Sequence, residues 1–270
     1  MPSAQFQFIY IMQTVLFHET IFGPIHSRRL GTSLGINLMP RDGKVCSFDC
    51  LYCEAGYNAQ GNGTTGIPRH AEVKKLLSAK LKQLKAEGVN IDVITFSGNG
   101  EPTLHPEFKT IVHDTLTLRN HYFPEAKVCV LSNATMASRP SVAEALKMVD
   151  CNILKLDSAI YRTFKRLNRP VSPNVLPEGI IDDLKQFDGR CIVQTMMVRG
   201  EHDGEPVDNT TDEEIDALIA AYTEIRPQEV MLYTIDRPTP ERNLQKIPSE
   251  ELKRIASRIE AAGIKVQVNA

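Results

Sequence analysis

Three thiols within eight residues, Cys46-Ser-Phe-Asp-Cys50-Leu-Tyr-Cys53, form the segment of this sequence best suited to chemistry. Thiols this close can converge on one metal centre without help from distant parts of the chain. A structural zinc ion takes four ligands, often as two separated pairs, and the nearest additional candidates are His26 and His70. An ordinary 4Fe–4S cubane takes four thiolates. Three would leave one iron without a protein ligand, in the way that catalytic metal sites keep one position open. Inert buried thiols are the remaining alternative. The other cysteines, Cys129, Cys151 and Cys191, stand singly in strand-like runs and read as small hydrophobes.

Further polar groups cluster where strand-like runs end. In Ser97-Gly98-Asn99-Gly100-Glu101-Pro102, two glycines let the backbone bend close to a ligand, and Glu101 can accept hydrogen bonds from an ammonium group. A simple turn into a helix, which Pro102 and Thr103 would suit, is the plainer alternative. Ser132-Asn133 ends a second run. Lys155 and Asp157 end a third and share one face of their strand, being two residues apart; a mutual ion pair is the structural alternative to a catalytic role. Thr195, Met196 and Met197 lie on a fourth, where a methionine pair is more often core.

These groups need a scaffold. Strand-like runs fall near 33–39, 92–97, 127–132, 152–157, 191–198 and 229–235, and amphipathic stretches near 70–87, 106–120, 138–148, 174–187, 211–225 and 248–262, followed by a short apolar tail. Strict alternation predicts right-handed βαβ units on a parallel sheet. Several strands alternate apolar with small or polar residues: Leu34, Ile36 and Leu38 oppose Ser33, Gly35 and Asn37, and Ile94 and Phe96 oppose Thr95 and Ser97. A sheet buried on both faces reads instead as continuous apolar runs. The pattern therefore predicts an α/β fold, a partial (β/α)6 barrel with a polar interior, over a flat α/β sheet.

Length and composition agree with one such domain. The 270 residues are 42% hydrophobic and 24% charged, as in ordinary globular proteins. Thirty-one basic against 33 acidic residues give no bulk attraction to nucleic acid or to a membrane surface. Six cysteines without a signal peptide point to reduced thiols in the cytoplasm. Residues 1–23 read as an N-terminal extension and 24–270 as the barrel. The apolar run from Phe6 to Ile11 is shorter than a membrane span and lacks a preceding basic residue, so Met12 is read as the natural start.

The spacing Cys-x3-Cys-x2-Cys, with aromatic Tyr52 before the last cysteine, resembles the signature of the radical S-adenosylmethionine superfamily. The resemblance implies a 4Fe–4S cluster on Cys46, Cys50 and Cys53 whose open iron takes the amine and carboxylate of S-adenosyl-L-methionine. Electron transfer from a reductant such as flavodoxin or ferredoxin then cleaves the sulfonium, and a 5′-deoxyadenosyl radical takes hydrogen from a substrate. It further implies that Tyr52 and the Ser97, Gly98, Asn99, Gly100 and Glu101 turn lie near the methionine moiety. Ser132, Asn133 and Asp157 would lie near the ribose or carboxylate, Thr195, Met196 and Met197 near the adenine, and Lys155 and Asp157 would serve catalysis.

The segment from Phe22 to Ile36, Phe96-Ser-Gly-Asn-Gly-Glu-Pro-Thr-Leu, Arg166-Leu-Asn-Arg-Pro170 and Asp236-Arg-Pro238 resemble the wyosine-synthase-like branch. That branch proper carries extra cysteines before the triplet, and none precedes Cys46 here. With no basic excess either, a small anionic molecule or a modified nucleoside is expected in place of a whole nucleic acid. Arg28, Arg29, Arg166, Arg169 and Arg237 would clamp it, or else anchor loops. A glycyl-radical-activating enzyme and a non-catalytic iron–sulfur protein are the alternatives.

Overall fold

The computed structural model describes residues 15–27 and 30–269. The elements run β1 (Ile21–Ser27), β2 (Gly31–Ile36), α1 (His70–Ala86), β3 (Val93–Phe96), α2 (Phe108–Tyr122), β4 (Lys127–Ser132), α3 (Pro140–Met148), β5 (Cys151–Lys155), α4 (Tyr161–Asn168), α5 (Pro177–Lys185), β6 (Ile192–His202), β7 (Glu205–Asp208), α6 (Asp212–Ile225), β8 (Glu229–Thr234), β9 (Leu244–Lys246), α7 (Ser249–Ala261) and β10 (Val266–Asn269). The sheet order is β1-β2-β3-β4-β5-β6-β8-β10. Along this order β2, β3, β4, β5, β6, β8 and β10 pair in parallel, whereas β1 is antiparallel to β2. The six strands and six helices read from periodicity are present within a few residues. The apolar tail is a seventh parallel strand, β10.

Period two decides which side chains point where. Leu34, Ile36, Ile94, Phe96, Val128 and Val130 are sealed beneath the helices. Ser33 and Thr95 turn inward and share a 2.9 Å hydrogen bond between their hydroxyls. Within the sheet lies a cavity of about 410 Å³, with Ser33, Thr95, Ser97 and Gln194 in its lining. Each parallel strand thus carries one face made for the core and one made for a polar interior.

The structure departs from the expectations at the N-terminus. The boundary placed after residue 23 falls inside β1, and residues before it are tied to the barrel. Asn37 N–H donates to Thr20 O at 2.8 Å, Phe17 N–H donates to Asn99 Oδ1 at 2.8 Å, and the Phe17 and Phe22 rings stack at 3.8 Å. An antiparallel strand carrying Gly-Pro leaves little periodic signal. The reading of Met12 as the start falls outside the described residues, as do Arg28 and Arg29. Helix α4 and the short β7 and β9, which extend β6 as an antiparallel ribbon, were not anticipated. α4 is only eight residues long and stops at Arg169, which takes φ 46° ahead of Pro170.

Phe22 lies over Gly35 so closely that a Cβ there would come within 2.0 Å of its ring. Gly35→Ala is therefore expected to lower stability by about 2 kcal/mol, as overpacking does. Urea unfolding checks this, and the added cost should shrink when Phe22 is shortened to leucine in the same chain.

Candidate metal centre and its surroundings

The three cysteines sit in the loop after β2, and the loop is gripped from two sides. On one side is the turn closing β3. Asn99 O accepts from Val45 N–H at 3.1 Å, and Glu101 N–H donates to Val45 O at 3.0 Å, so Val45 and Gly100 form an isolated parallel bridge. Gly100 has φ 143°, and a Cβ on it would stand 1.8 Å from Val45 O. On the other side is α4 with its following turn. Asp49 N–H donates to Asn168 O at 3.0 Å, Leu51 N–H to Leu167 O at 3.0 Å, and Val171 N–H to Ser47 O at 2.9 Å. Between the cysteines, Phe48 and Leu51 plunge into the core, where Phe48 meets Phe164 edge-on. Apolar anchors interleaved with thiols hold the loop down while leaving the sulfurs free.

All three thiols are unpaired by disulfides; Cys50 is buried, while Cys46 and Cys53 are half-buried. Cys46 Sγ accepts from Phe48 N–H at 3.5 Å and from Asn133 Nδ2 at 3.6 Å, and Cys50 Sγ accepts from Asn168 Nδ2 at 3.6 Å. Burial pushes the Cys46 thiol well up and the Cys50 thiol to about 11; coordination to a metal ion reverses this by removing the proton. Lys44 is buried beside the loop, donating to Gly56 O at 2.7 Å and lying 3.5 Å from Asp49 Oδ1. Burial works against its charge, yet the anionic forms of Cys53, Cys46 and Cys50, with Asp49, outweigh it and raise its pKa. An all-sulfur donor set with amide N–H groups and one buried cation suits an anionic iron–sulfur cluster. Among the described residues no three such side chains gather around a single point, as one metal ion would require; a cubane instead takes each thiolate on a different iron.

Glu101, 2% exposed, fastens the ends of β3 and β4 together. It accepts from Thr103 N–H at 3.0 Å, Thr103 Oγ1 at 2.6 Å, Ser132 Oγ at 2.8 Å and Asn133 N–H at 2.7 Å. Burial raises its pKa against the pull of these donors. Its oxygens are thus engaged within the protein, where they position the ends of the two strands. Asn99 is likewise a strut: it is fully buried and donates to Phe17 O at 2.9 Å and Pro40 O at 2.8 Å. Asn133 spans from Cys46 to Ser47 Oγ, 2.9 Å away. Ser97 lines the interior cavity, and Gly98, φ 144°, lies against Asn37.

Asp157, 1% exposed, lies at the centre of the second polar group. Its oxygens accept from Tyr52 OH, from Asn168 Nδ2 at 2.6 Å and from Met196 N–H at 2.8 Å, and Lys155 Nζ lies 3.6 Å away. Lys155 also donates to Tyr233 OH at 2.7 Å and sits near the Tyr52 and Tyr233 rings, 5.1 and 5.2 Å from their centroids. Burial opposes the Lys155 charge, but Asp157 more than restores it and the pKa rises. The two residues form the mutual ion pair, inside a network that carries Tyr52 and Asn168 to the cysteine loop.

Thr195 and Met197 are corrected by strand register. Both are fully buried toward the helices, and Thr195 Oγ1 donates to Leu156 O at 2.7 Å and bonds Tyr222 OH at 2.5 Å. Their neighbours Gln194 and Met196 face the interior, where they line cavities. The described arginines among them do not gather. Arg166 is held by Glu205 at 2.5 Å and Pro206 O at 3.0 Å, and Arg169 lies 3.6 Å from Asp49 and stacks over Tyr57. Arg237 alone of the described three lines the cavity mouth, bonded to Glu54 at 2.6 Å.

Sequence reasoning missed Lys44, Asn168 and Gln194. Lys44 stands two residues before Cys46, a position at which a basic residue is worth weighing. Asn168 lay inside a quoted motif without a role. Gln194 could have been found by extending the period-two rule to β6.

Gly100→Ala is expected to break the Val45 bridge and unseat the loop. Iron content after reconstitution should fall at least several-fold, with helix content kept, as circular dichroism would show.

The profile of the Radical SAM superfamily matches residues 42–210, which span the loop and its supports. A UPF0026 protein of Helicobacter pylori is 31% identical over 222 residues, covering 81% of this chain and 67% of that protein. A protein named GTPase Obg from Brachyspira hyodysenteriae is 28% identical over 246 residues; the match takes in 90% of this chain but only 34% of that longer protein. Among solved structures, Streptococcus suis SuiB bound to S-adenosylmethionine superposes with a TM-score of 0.61 at 16% identity, over 87% of this chain and 50% of that one. At that identity the likeness is one of fold.

Proposed function

The chain belongs to the radical SAM superfamily and within it to the UPF0026 group, and on that footing we propose that Cys46, Cys50 and Cys53 hold the 4Fe–4S cluster such enzymes use. When bound, cluster and S-adenosyl-L-methionine together supply a one-electron cleavage that ends in hydrogen abstraction from a substrate. The observation that carries this reading is the three reduced thiols presented by one loop, clamped between the β3 turn and α4.

The remaining residues bind, orient and exclude water. Glu101 and Asn133 hold the end of β4 against the loop. Asp157 orients Tyr52 and Asn168 beneath it, and Lys155 supplies a fixed positive charge at the same end of the sheet. The neighbouring cavity of about 410 Å³ has room for S-adenosylmethionine or a nucleoside-sized substrate. Hydroxyls of Ser33, Thr95 and Ser97, with the Gln194 amide and Arg237, suit a small anionic molecule or a modified nucleoside, in keeping with a wyosine-synthase-like ancestry. A formal charge of −2 does not favour a whole nucleic acid. A flavodoxin or ferredoxin would deliver the electron. Free cysteines fit a reducing cytoplasm, and no helix among the described residues is long and apolar enough to cross a membrane.

Anaerobic reconstitution with iron and sulfide, reduction by dithionite and addition of S-adenosylmethionine test the proposal. 5′-Deoxyadenosine should accumulate. A protein that takes up a full cluster and still leaves the cosubstrate intact would refute it.

A further inference from the structure

At the floor of the barrel, away from the cysteine loop, the first residues of the parallel strands surround a second cavity of about 410 Å³. Two of its lining residues are Cys129 on β4 and Cys151 on β5. They are direct partners in the parallel register. Adjacent strands run about 4.8 Å apart, inside the Cα separation that disulfides span. Both side chains take the interior face: Cys151 packs with Ile153, Ile192, Met231 and Leu131, and Cys129 is two residues from Leu131. The thiols are within hydrogen-bonding reach of each other, and neither is bridged. Cys129 is completely buried, whereas Cys151 is half-exposed.

We propose that Cys129 and Cys151 are a redox-active dithiol that closes to a disulfide across the barrel floor when a small disulfide enters that cavity. In the first step the Cys151 thiolate attacks one sulfur of the small disulfide, whose S–S bond breaks, and one small thiol leaves with a proton. The Cys129 thiol then gives up its proton and attacks the Cys151 sulfur, releasing the second small thiol. Two protein thiols are oxidised by two electrons while one small disulfide is reduced to two thiols. The order follows from accessibility, since only Cys151 can meet an incoming molecule. The hydrogen bond from Cys129, helped by the Lys127 charge, lowers the Cys151 pKa against burial, Asp150 and Glu229. The same bond, with burial, pushes the Cys129 thiol up. Asp92 and Lys265 also border the cavity. Exchange should therefore quicken as pH rises and Cys151 loses its proton.

The test uses reconstituted holoprotein under anaerobic conditions, with oxidised 2-mercaptoethanol as probe, followed by alkylation of remaining thiols and peptide mapping. Wild type should yield the Cys129 and Cys151 peptides joined, with Cys191 alkylated. Cys129→Ser should stop at a mercaptoethanol adduct on Cys151, and Cys151→Ser should leave Cys129 alkylated. Circular dichroism and iron content check that each variant folds, and Ala replaces Ser if one does not. Wild type that keeps both thiols, or that stops at the adduct, would overturn the proposal.

Discussion

Cys50→Ala is expected to yield a folded protein that retains little iron and makes no measurable 5′-deoxyadenosine. Cys50 is 8% exposed and packs within the core, so alanine leaves only a small void there. The fold therefore survives while the donor set drops from three thiolates to two. Loss of a partner behind a metal ligand already costs about 10–100-fold in affinity or activity, so loss of a ligand should exceed about 100-fold. Iron and sulfide content after reconstitution, with the 5′-deoxyadenosine yield, reads the effect. A variant as active as wild type would remove Cys50 from the ligand set.

The second large effect is expected at Asp157, whose carboxylate accepts from Tyr52, Asn168 and the Met196 amide beside Lys155. Asp157→Ala orphans those donors and leaves the Lys155 charge without its nearest counterion. Removing one member of a buried pair costs about 3–5 kcal/mol. Urea unfolding should show a loss of that order, and 5′-deoxyadenosine yield should fall with it because Tyr52 and Asn168 lose their anchor. Pairing the change with Lys155→Met should cost less than the sum of the single changes, since the stranded charge is then gone. Strict additivity would mean that the two residues do not act together. Asp157→Asn separates charge from shape: with its oxygen in place of Oδ2 it still accepts from Tyr52 and Asn168, but its amide nitrogen then faces the Met196 N–H.

Much of this architecture was written in hydrophobic period. Leu34, Ile36, Ile94 and Phe96 alternate with small polar residues because one face meets helices and the other a polar hollow. That alone separates a curled sheet from a flat one. The metal loop was equally legible, since close spacing makes three thiols local to one another whatever the fold. What period could not supply was contact across the barrel. Glu101 and Asn99 also act as fasteners, a role that period cannot show because the segments they join are distant in sequence. Of Thr195, Met196 and Met197 on β6, Met196 shares the interior face with Gln194, as the rule that holds in β2 and β3 requires, and the other two turn away from it. β1 escaped notice because an antiparallel strand with a Gly-Pro step has no helix partner to impose a period. Arg166 and Arg169 were read as a clamp, but their acidic partners Glu205 and Asp49 lie 39 and 120 positions away along the chain.

The proposed cluster would have one iron that no protein side chain binds. Electron paramagnetic resonance of the reduced, reconstituted protein tests it most directly, recorded with and without S-adenosylmethionine labelled with nitrogen-15 at its methionine amine. The cosubstrate should change the spectrum, and the labelled nitrogen should show hyperfine coupling to the cluster. A 4Fe–4S spectrum indifferent to the cosubstrate, or zinc in place of iron in anaerobically purified protein, would contradict it.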